Sequence, residues 1–190
     1  MNIPNGLTIL RLALVPLYVI AFSLTGTPWM IVAATIFLLA SLTDWLDGYW
    51  ARRHQQVTDF GTLLDPIADK ILILAALVML VQVGRVPGWL VILSLSREFA
   101  VTALRAVAAA SGRILPAERL GKLKMALQTV SVMVLILEPV VPWSPIHRVG
   151  ISLLLLATAL ALLSAGRYAI QYGRAQPGFP AQTARSQASR

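Results

Sequence analysis

The stretch TDWLDGYWARRHQQVTDFGTLLDPIADK, from Thr43 to Lys70, sets four aspartates, Asp44, Asp47, Asp65 and Asp69, at the facing ends of two long apolar segments. Asp44 and Asp47 stand three residues apart and Asp65 and Asp69 four apart, so on helices each pair shares one face. The short polar connection around His54 makes the two helices antiparallel neighbours, with Asp44 level with Asp69 and Asp47 level with Asp65. Counting about 1.5 Å per residue from that connection, the outer two acids lie roughly 8 Å and the inner two roughly 13 Å inside the helix ends. Four acids therefore converge in depth.

The surrounding sequence says what medium they converge in. Of 190 residues, 57% are hydrophobic and 13% charged, whereas a soluble domain carries about a quarter of its residues charged. A water-soluble globule is excluded. Six runs reach the roughly 20 residues a helix needs to cross a bilayer: Leu7 to Thr25, Trp29 to Arg52, Gly61 to Val83, Trp89 to Ser111, Leu120 to Val141 and Ile146 to Tyr172. Pro28 and Pro87 mark helix starts, Gly84, Gly112 and Gly173 follow helix ends, and Pro139, Pro142 and Pro145 stop the fifth run. The reading is an all-α integral membrane protein with six transmembrane helices and a short N-terminal interfacial segment, Met1 to Gly6. Residues 1–172 form one membrane domain, and residues 173–190, polar and proline-containing, form a disordered cytoplasmic tail. The first run is a retained helix, not a secretory signal, because its amino end lacks positive charge, Arg11 interrupts it and no small-residue cleavage site follows.

Lys and Arg number 16 against 8 acids, and they gather at the ends of apolar runs. That placement points to lipid head groups or an anionic substrate and away from nucleic acid. Six crossings put both termini on the side that holds Arg52, Arg53, Arg113, Arg119, Lys122, Lys124, Arg174, Arg185 and Arg190, while the opposite loops hold Arg85 and Arg148. By the positive-inside rule the termini are cytoplasmic and the protein sits in the cell (inner) membrane. With no cysteine and only His54 and His147, thiolate chemistry and a histidine metal cage are excluded.

Each ionised carboxylate at the centre of a bilayer costs on the order of 2.5 to 3.5 kcal/mol, so four approach ~10 kcal/mol, comparable with the stability of a whole domain. Lys70 and Arg52 offset part of this. One or two hard divalent cations, which take several oxygen ligands and keep positions open for phosphate, are the economical solution. Interhelical hydrogen bonds from protonated or lysine-paired acids are the alternative. Gly48 and Gly61 remove side chains where a base or diphosphate would approach the backbone, Ala51 keeps the same wall low, and Arg52 offers a planar fork of donors to phosphate oxygens. Pro66, inside the third helix, either opens the site or marks a packing kink.

Asp44, Asp47, Gly48, Ala51, Arg52, Gly61, Asp65 and Asp69 reproduce the pattern D-x2-D-G-x2-A-R-x8-G-x3-D-x3-D. The chain thereby resembles the CDP-alcohol phosphotransferase family, with no motif position departing from it. The resemblance implies that family's fold, divalent metal (Mg2+ or Mn2+, two ions) on Asp44, Asp47, Asp65 and Asp69, and Asp69 as general base. It also implies a CDP site at Asp44, Gly48, Ala51, Arg52, Gly61 and Asp65, attack of an alcohol on the lipid-bearing phosphorus of a CDP-linked lipid with release of CMP, and a homodimer.

For the acceptor, Arg105, Lys122 and Lys124, with Arg113 and Arg119 as weaker members, gather on the side of the aspartates and suit a phosphorylated alcohol; a positive-inside loop without substrate contact is the alternative. The longer pattern, Asn2-Ile3-Pro4-Asn5 with Leu7, Thr8 and Arg11, Asp65-Pro66, Ala68-Asp69-Lys70, Arg97-Glu98, Leu104-Arg105 and Gly121-Lys122 with Lys124 and Gln128, looks most like members that use sn-glycerol 3-phosphate; Met125 departs from it. The implied reaction transfers the phosphatidyl group of CDP-diacylglycerol to sn-glycerol 3-phosphate, giving phosphatidylglycerol phosphate and CMP. Transfer to inositol phosphate or serine, and a cation transporter lined by the aspartates, remain the competing readings. Arg97 and Glu98 lie deep in the fourth helix and, pointing about 100° apart, are each expected to find a partner other than the other. Asn5 and Thr8 read as caps of the first helix or as cytidine contacts.

Overall fold

The computed structural model describes residues 3–54, 59–110 and 119–174; for residues 3–5, 7, 44–54, 59–67, 69, 119–122, 169 and 171–174 it describes the backbone alone. Among the described residues six helices follow one another: α1 (Ile3–Ser23), α2 (Thr27–His54), α3 (Asp59–Gln82), α4 (Gly88–Ala110), α5 (Arg119–Leu137) and α6 (Ile146–Arg174). α1 packs against α2 and α3, α5 lies along α6, and α4 leans on α6 and α3.

Local chemistry fixes the helix ends. Gly26 turns the chain between α1 and α2 at a φ of 108°, and Gly84 follows α3 at 73°, both in a region that side chains with a Cβ avoid. At Gly84 the helix closes with paired bonds, the Gly84 amide to the Val81 carbonyl at 2.9 Å and the Arg85 amide to the Leu80 carbonyl at 2.9 Å, the Schellman arrangement. α5 ends before Pro139, and the Arg85 guanidinium satisfies its last carbonyls, at 3.2 Å from Leu135 and 3.5 Å from Ile136. The same guanidinium lies 5.9 Å from the centre of the Phe22 ring and 3.6 Å from Glu138, which also meets His147 Nδ1 at 3.1 Å.

Several ends differ from the sequence reading. Ile3 to Gly6 belong to α1 itself and form no separate interfacial segment, because Pro4 in the first turn gives up an amide that has no helical partner there anyway. Asn5 and Thr8 therefore stand inside the helix, where neither caps it, and Thr8 is buried. Gly173 does not stop α6, which continues to Arg174.

The exterior is apolar: Leu17, Ile20, Leu39, Val78, Ile92, Leu155 and Leu163 all point outward. Among the described residues Ile146–Tyr168 is long and apolar enough to cross a membrane, and Thr8–Ser23, Thr27–Thr43, Lys70–Gln82 and Leu123–Leu137 are apolar over shorter lengths. The aspartates take the final turns of α2 and the opening turns of α3, where polar residues are frequent in the sequence.

Inside, a cluster of Tyr18, Phe22, Phe37, Leu72, Leu77, Leu80, Leu90, Leu135 and Leu154 fills the half of the bundle nearest the connections at Gly26 and Gly84. Elsewhere small residues let helices approach: Ala33, Ala40, Ala76, Ser131, Ala157, Ala161 and Ser164 are all buried. α5 and α6 approach closely at Gly150. A Cβ on Gly150 would stand 2.6 Å from Leu135 Cδ2 and 2.7 Å from its Cγ, and Ser131 Oγ donates to the Gly150 carbonyl at 2.7 Å. Leu135 is fully buried and has nowhere to retreat. Gly150→Val is expected to cost about 1 to 3 kcal/mol by overpacking, seen as a lower thermal unfolding midpoint of the detergent-solubilised protein, with Leu135→Ala in the same chain recovering part of the loss.

Candidate active site

The last three turns of α2 carry Asp44, Asp47, Gly48, Ala51 and Arg52, and the first three turns of α3 carry Gly61, Asp65 and Asp69. Both stretches are continuous helix and the two helices are in contact. Register decides which way the acids are set. On α2 the buried positions Ala33, Phe37 and Ala40 continue, at helical spacing, into Asp44, Asp47 and Ala51. On α3 the buried Leu72 and Ala76 share their face with Asp65 and Asp69, and Ala68 between them is also buried. Both acidic pairs thus occupy positions on the faces their helices bury, not on the lipid-facing stripes. The side chains of these eight motif residues lie outside the described residues.

Such a donor set is made of carboxylate oxygens alone, four on two adjacent helices, which suits a hard divalent cation and not a soft one. α1 packs on both helices, and its Arg11 is fully buried about two and a half turns from the amino end.

A second polar group of residues is described in full. Lys70, next to Asp69, donates to Thr102 Oγ1 of α4, and Thr102 Oγ1 donates to the Glu98 carbonyl at 2.8 Å. The Glu98 carboxylate accepts from Lys124 Nζ of α5 at 2.6 Å and from Arg97 Nη1 at 2.7 Å, both on Oε1. Arg97 Nε donates to the Ala161 carbonyl of α6 at 2.6 Å. One turn deeper, Gln128 Nε2 donates to Ser94 Oγ at 3.3 Å. Arg97 and Glu98 therefore do pair, against the expectation from their 100° separation: the arginine side chain is long enough to wrap around its own helix and present the guanidinium to the neighbouring carboxylate. Each also finds the additional partner that its burial demands. A cavity of about 240 Å³ opens beside this group, lined by Lys70, Glu98, Thr102 and Gln128 at its polar edge and by Ile71, Leu74, Leu95, Phe99 and Met125 elsewhere.

A family profile described as CDP-alcohol phosphatidyltransferase matches residues 1–165, which takes in α1 to α5, the first two thirds of α6 and every position of the aspartate motif. The chain belongs to the CDP-alcohol phosphatidyltransferase family. It is 44% identical over 150 residues to the CDP-diacylglycerol–glycerol-3-phosphate 3-phosphatidyltransferase of Bacillus subtilis (strain 168), covering 72% of this chain and 77% of that protein. It is 39% identical over 175 residues to the protein of the same name from Pseudomonas fluorescens, covering 88% of each. A probable phosphatidylglycerophosphate synthase of Mycobacterium tuberculosis (strain ATCC 25618 / H37Rv) is 37% identical over 171 residues, 88% of this chain and 79% of the relative.

This member of the CDP-alcohol phosphatidyltransferase family spreads its expected acceptor cations unevenly. Arg105 is exposed on α4, while Lys124 is 7% exposed and turned into the bundle onto Glu98. Lys122 and Arg119 stand on the first turn of α5 with backbone alone described, and Arg113 lies outside the described residues. Sequence reasoning passed over Arg11 as a site residue and assigned Glu98 no role. The signal was present in both: a charge well inside an apolar run is costly unless something answers it. Arg97→Met removes at least the hydrogen bonds to Ala161 and Glu98, made by a charged donor, and is expected to destabilise by about 3 kcal/mol, read as a drop of several degrees in the thermal midpoint. Arg97→Lys recovers little of it, because an ammonium cannot serve Ala161 and Glu98 in the same planar fork.

Proposed function

We propose that this chain transfers the phosphatidyl group of CDP-diacylglycerol to sn-glycerol 3-phosphate, giving phosphatidylglycerol phosphate and CMP. The observation that carries the reading is the complete eight-residue motif on two adjacent helix ends, its aspartates at positions in register with the buried residues of those helices, in a chain whose relatives are named for this transfer. Six crossings with both termini in the cytoplasm bring those helix ends to the side where nucleotide and glycerol phosphate are dissolved, and the +8 charge of the chain is concentrated there. Residues 1–172 are the catalytic membrane domain, residues 173–190 a cytoplasmic tail, and the working unit is a homodimer, as the family resemblance implies.

Asp44, Asp47, Asp65 and Asp69 hold divalent metal, Mg2+ or Mn2+ and two ions in the fullest form, which when bound offsets charge on the diphosphate. Gly48, Ala51 and Gly61 leave the backbone of both helices open to the cytidine diphosphate, and Arg52 donates to its phosphate oxygens. Asp69 takes the proton of the acceptor hydroxyl as its oxygen attacks the lipid-bearing phosphorus; the bond to the CMP oxygen breaks and the electron pair leaves with CMP. Arg105 and Lys122 at the edge and Lys124 further in receive the acceptor phosphate, with Arg113 and Arg119 drawing the anion toward them.

Purified protein given CDP-diacylglycerol and, separately, sn-glycerol 3-phosphate, serine, inositol and inositol phosphate is expected to release CMP with the first alone, and to stop when the divalent ion is chelated. Release with serine or inositol phosphate and none with glycerol 3-phosphate rejects the acceptor; cation flux in proteoliposomes without CMP rejects the transferase reading. Asp69→Asn is expected to lower kcat by about 10² to 10⁴-fold while CDP-diacylglycerol binding persists; turnover near the parent rate excludes Asp69 as the base.

A further inference from the structure

The carboxylate of Glu98 is the hub of the only fully described ionic cluster on the aspartate side of the bundle. It takes Lys124 Nζ at 2.6 Å and Arg97 Nη1 at 2.7 Å on one oxygen, with the side chains of Arg97 and Lys124 only 2% and 8% exposed. Arg97 is anchored in turn to the Ala161 carbonyl, so the cluster joins α4, α5 and α6. The tie between these helices is therefore ionic and mostly buried.

Tying helices together does not require this. One turn deeper the same two helices, α4 and α5, are joined by the uncharged Ser94 and Gln128, which avoids the cost of desolvating ions. The ionic tie needs another account. Glu98, Thr102 and Arg105 follow one another at four and three residues on a single face of α4, so the face that starts at the cluster ends at the exposed Arg105. Lys70, adjacent to Asp69 in the chain, is hydrogen-bonded to Thr102 on that same face. Glu98, Lys70 and Thr102 all line the 240 Å³ cavity. The cluster is thus set beside the helix turn that carries the proposed base, at the inner end of a line of cations.

We propose that Glu98 is a positioning residue for the acceptor: it fixes the Lys124 ammonium in one place, by a carboxylate that is itself fixed by Arg97, so that a phosphate monoester meets a preset cation with unused N–H donors. Glu98 touches neither reactant. A lysine ammonium has three donors and Glu98 occupies one; holding the flexible four-carbon stem before the substrate arrives removes the ordering cost from the binding step. This rests on the reading that glycerol 3-phosphate is the acceptor and that Lys124 receives its phosphate.

The test compares Glu98→Gln, Glu98→Asp, Lys124→Ala and the double variant Glu98→Gln/Lys124→Ala, with full kinetics for both substrates and a thermal midpoint for each protein. Glu98→Gln is expected to raise the KM for glycerol 3-phosphate about tenfold, with the KM for CDP-diacylglycerol and kcat within about threefold of the parent, the scale of one coupled charge contact. Glu98→Asp keeps the charge and is expected to fall between the two; it carries the test if the glutamine variant does not fold. In the Lys124→Ala background the Glu98→Gln change is expected to add nothing to the KM. A lowered thermal midpoint with both KM values unchanged, or an equal rise in both, overturns the proposal and leaves Glu98 a structural tie. If Lys124→Ala raises the KM for glycerol 3-phosphate while Glu98→Gln does not, the proposal fails and the acceptor reading stands. If Lys124→Ala leaves that KM unchanged, the assignment of Lys124 to the phosphate is what has failed, and the proposal with it.

Discussion

An ionised group inside an apolar helical bundle has to be answered by another group, and that requirement organises the aspartate side of this protein. Water is not there to do it, so each carboxylate, guanidinium or ammonium is stable only where counter-charge or hydrogen-bond partners come within about 3 Å. Glu98 shows the rule satisfied within the chain, with two cations on one oxygen and a helix carbonyl behind them. The four aspartates of α2 and α3 carry the same requirement, at positions in register with the buried residues of their helices.

The rest of the fold serves to hold those helix ends at a fixed spacing. Small buried residues set close distances along α1, α2, α5 and α6, and the aromatic cluster of Tyr18, Phe22 and Phe37 fills the opposite half. Rings in tilted contact, 5.7 Å and 6.1 Å between centres, resist sliding better than aliphatic chains do. Rigidity at one end makes the geometry at the other reproducible, which matters when several donors must meet one phosphate.

Much of this was readable from the sequence. The helices declared themselves through apolar length, and the motif through eight residues whose spacing matches two helical faces. Their ends were less readable. Gly6 looked like the boundary of a separate segment and is part of the first turn of α1; Gly173 looked like a stop and is inside α6. Both residues are compatible with a helix terminus and with its first or last turn, so composition cannot separate the cases. The Arg97–Glu98 pair was misread because the direction in which a Cβ leaves a helix does not limit where the tip of a six-atom side chain arrives. The partnership of Glu98 with Lys124 joins residues 26 apart on different helices, and periodicity says nothing about which helix faces which. Gly150 gave no sign at all, since a glycine required by a neighbour's bulk looks in sequence like any other glycine.

The Arg85 side chain has a consequence for how this scaffold tolerates change. From the short turn between α3 and α4 it reaches the ring of Phe22 on α1, the exposed carbonyls at the end of α5, and Glu138 beyond them. One residue therefore acts as a rivet through three layers, and the turn that carries it inherits a fixed length. Insertions at this corner would pull the rivet out, so variation in loop size among functional descendants of this architecture is channelled to other corners.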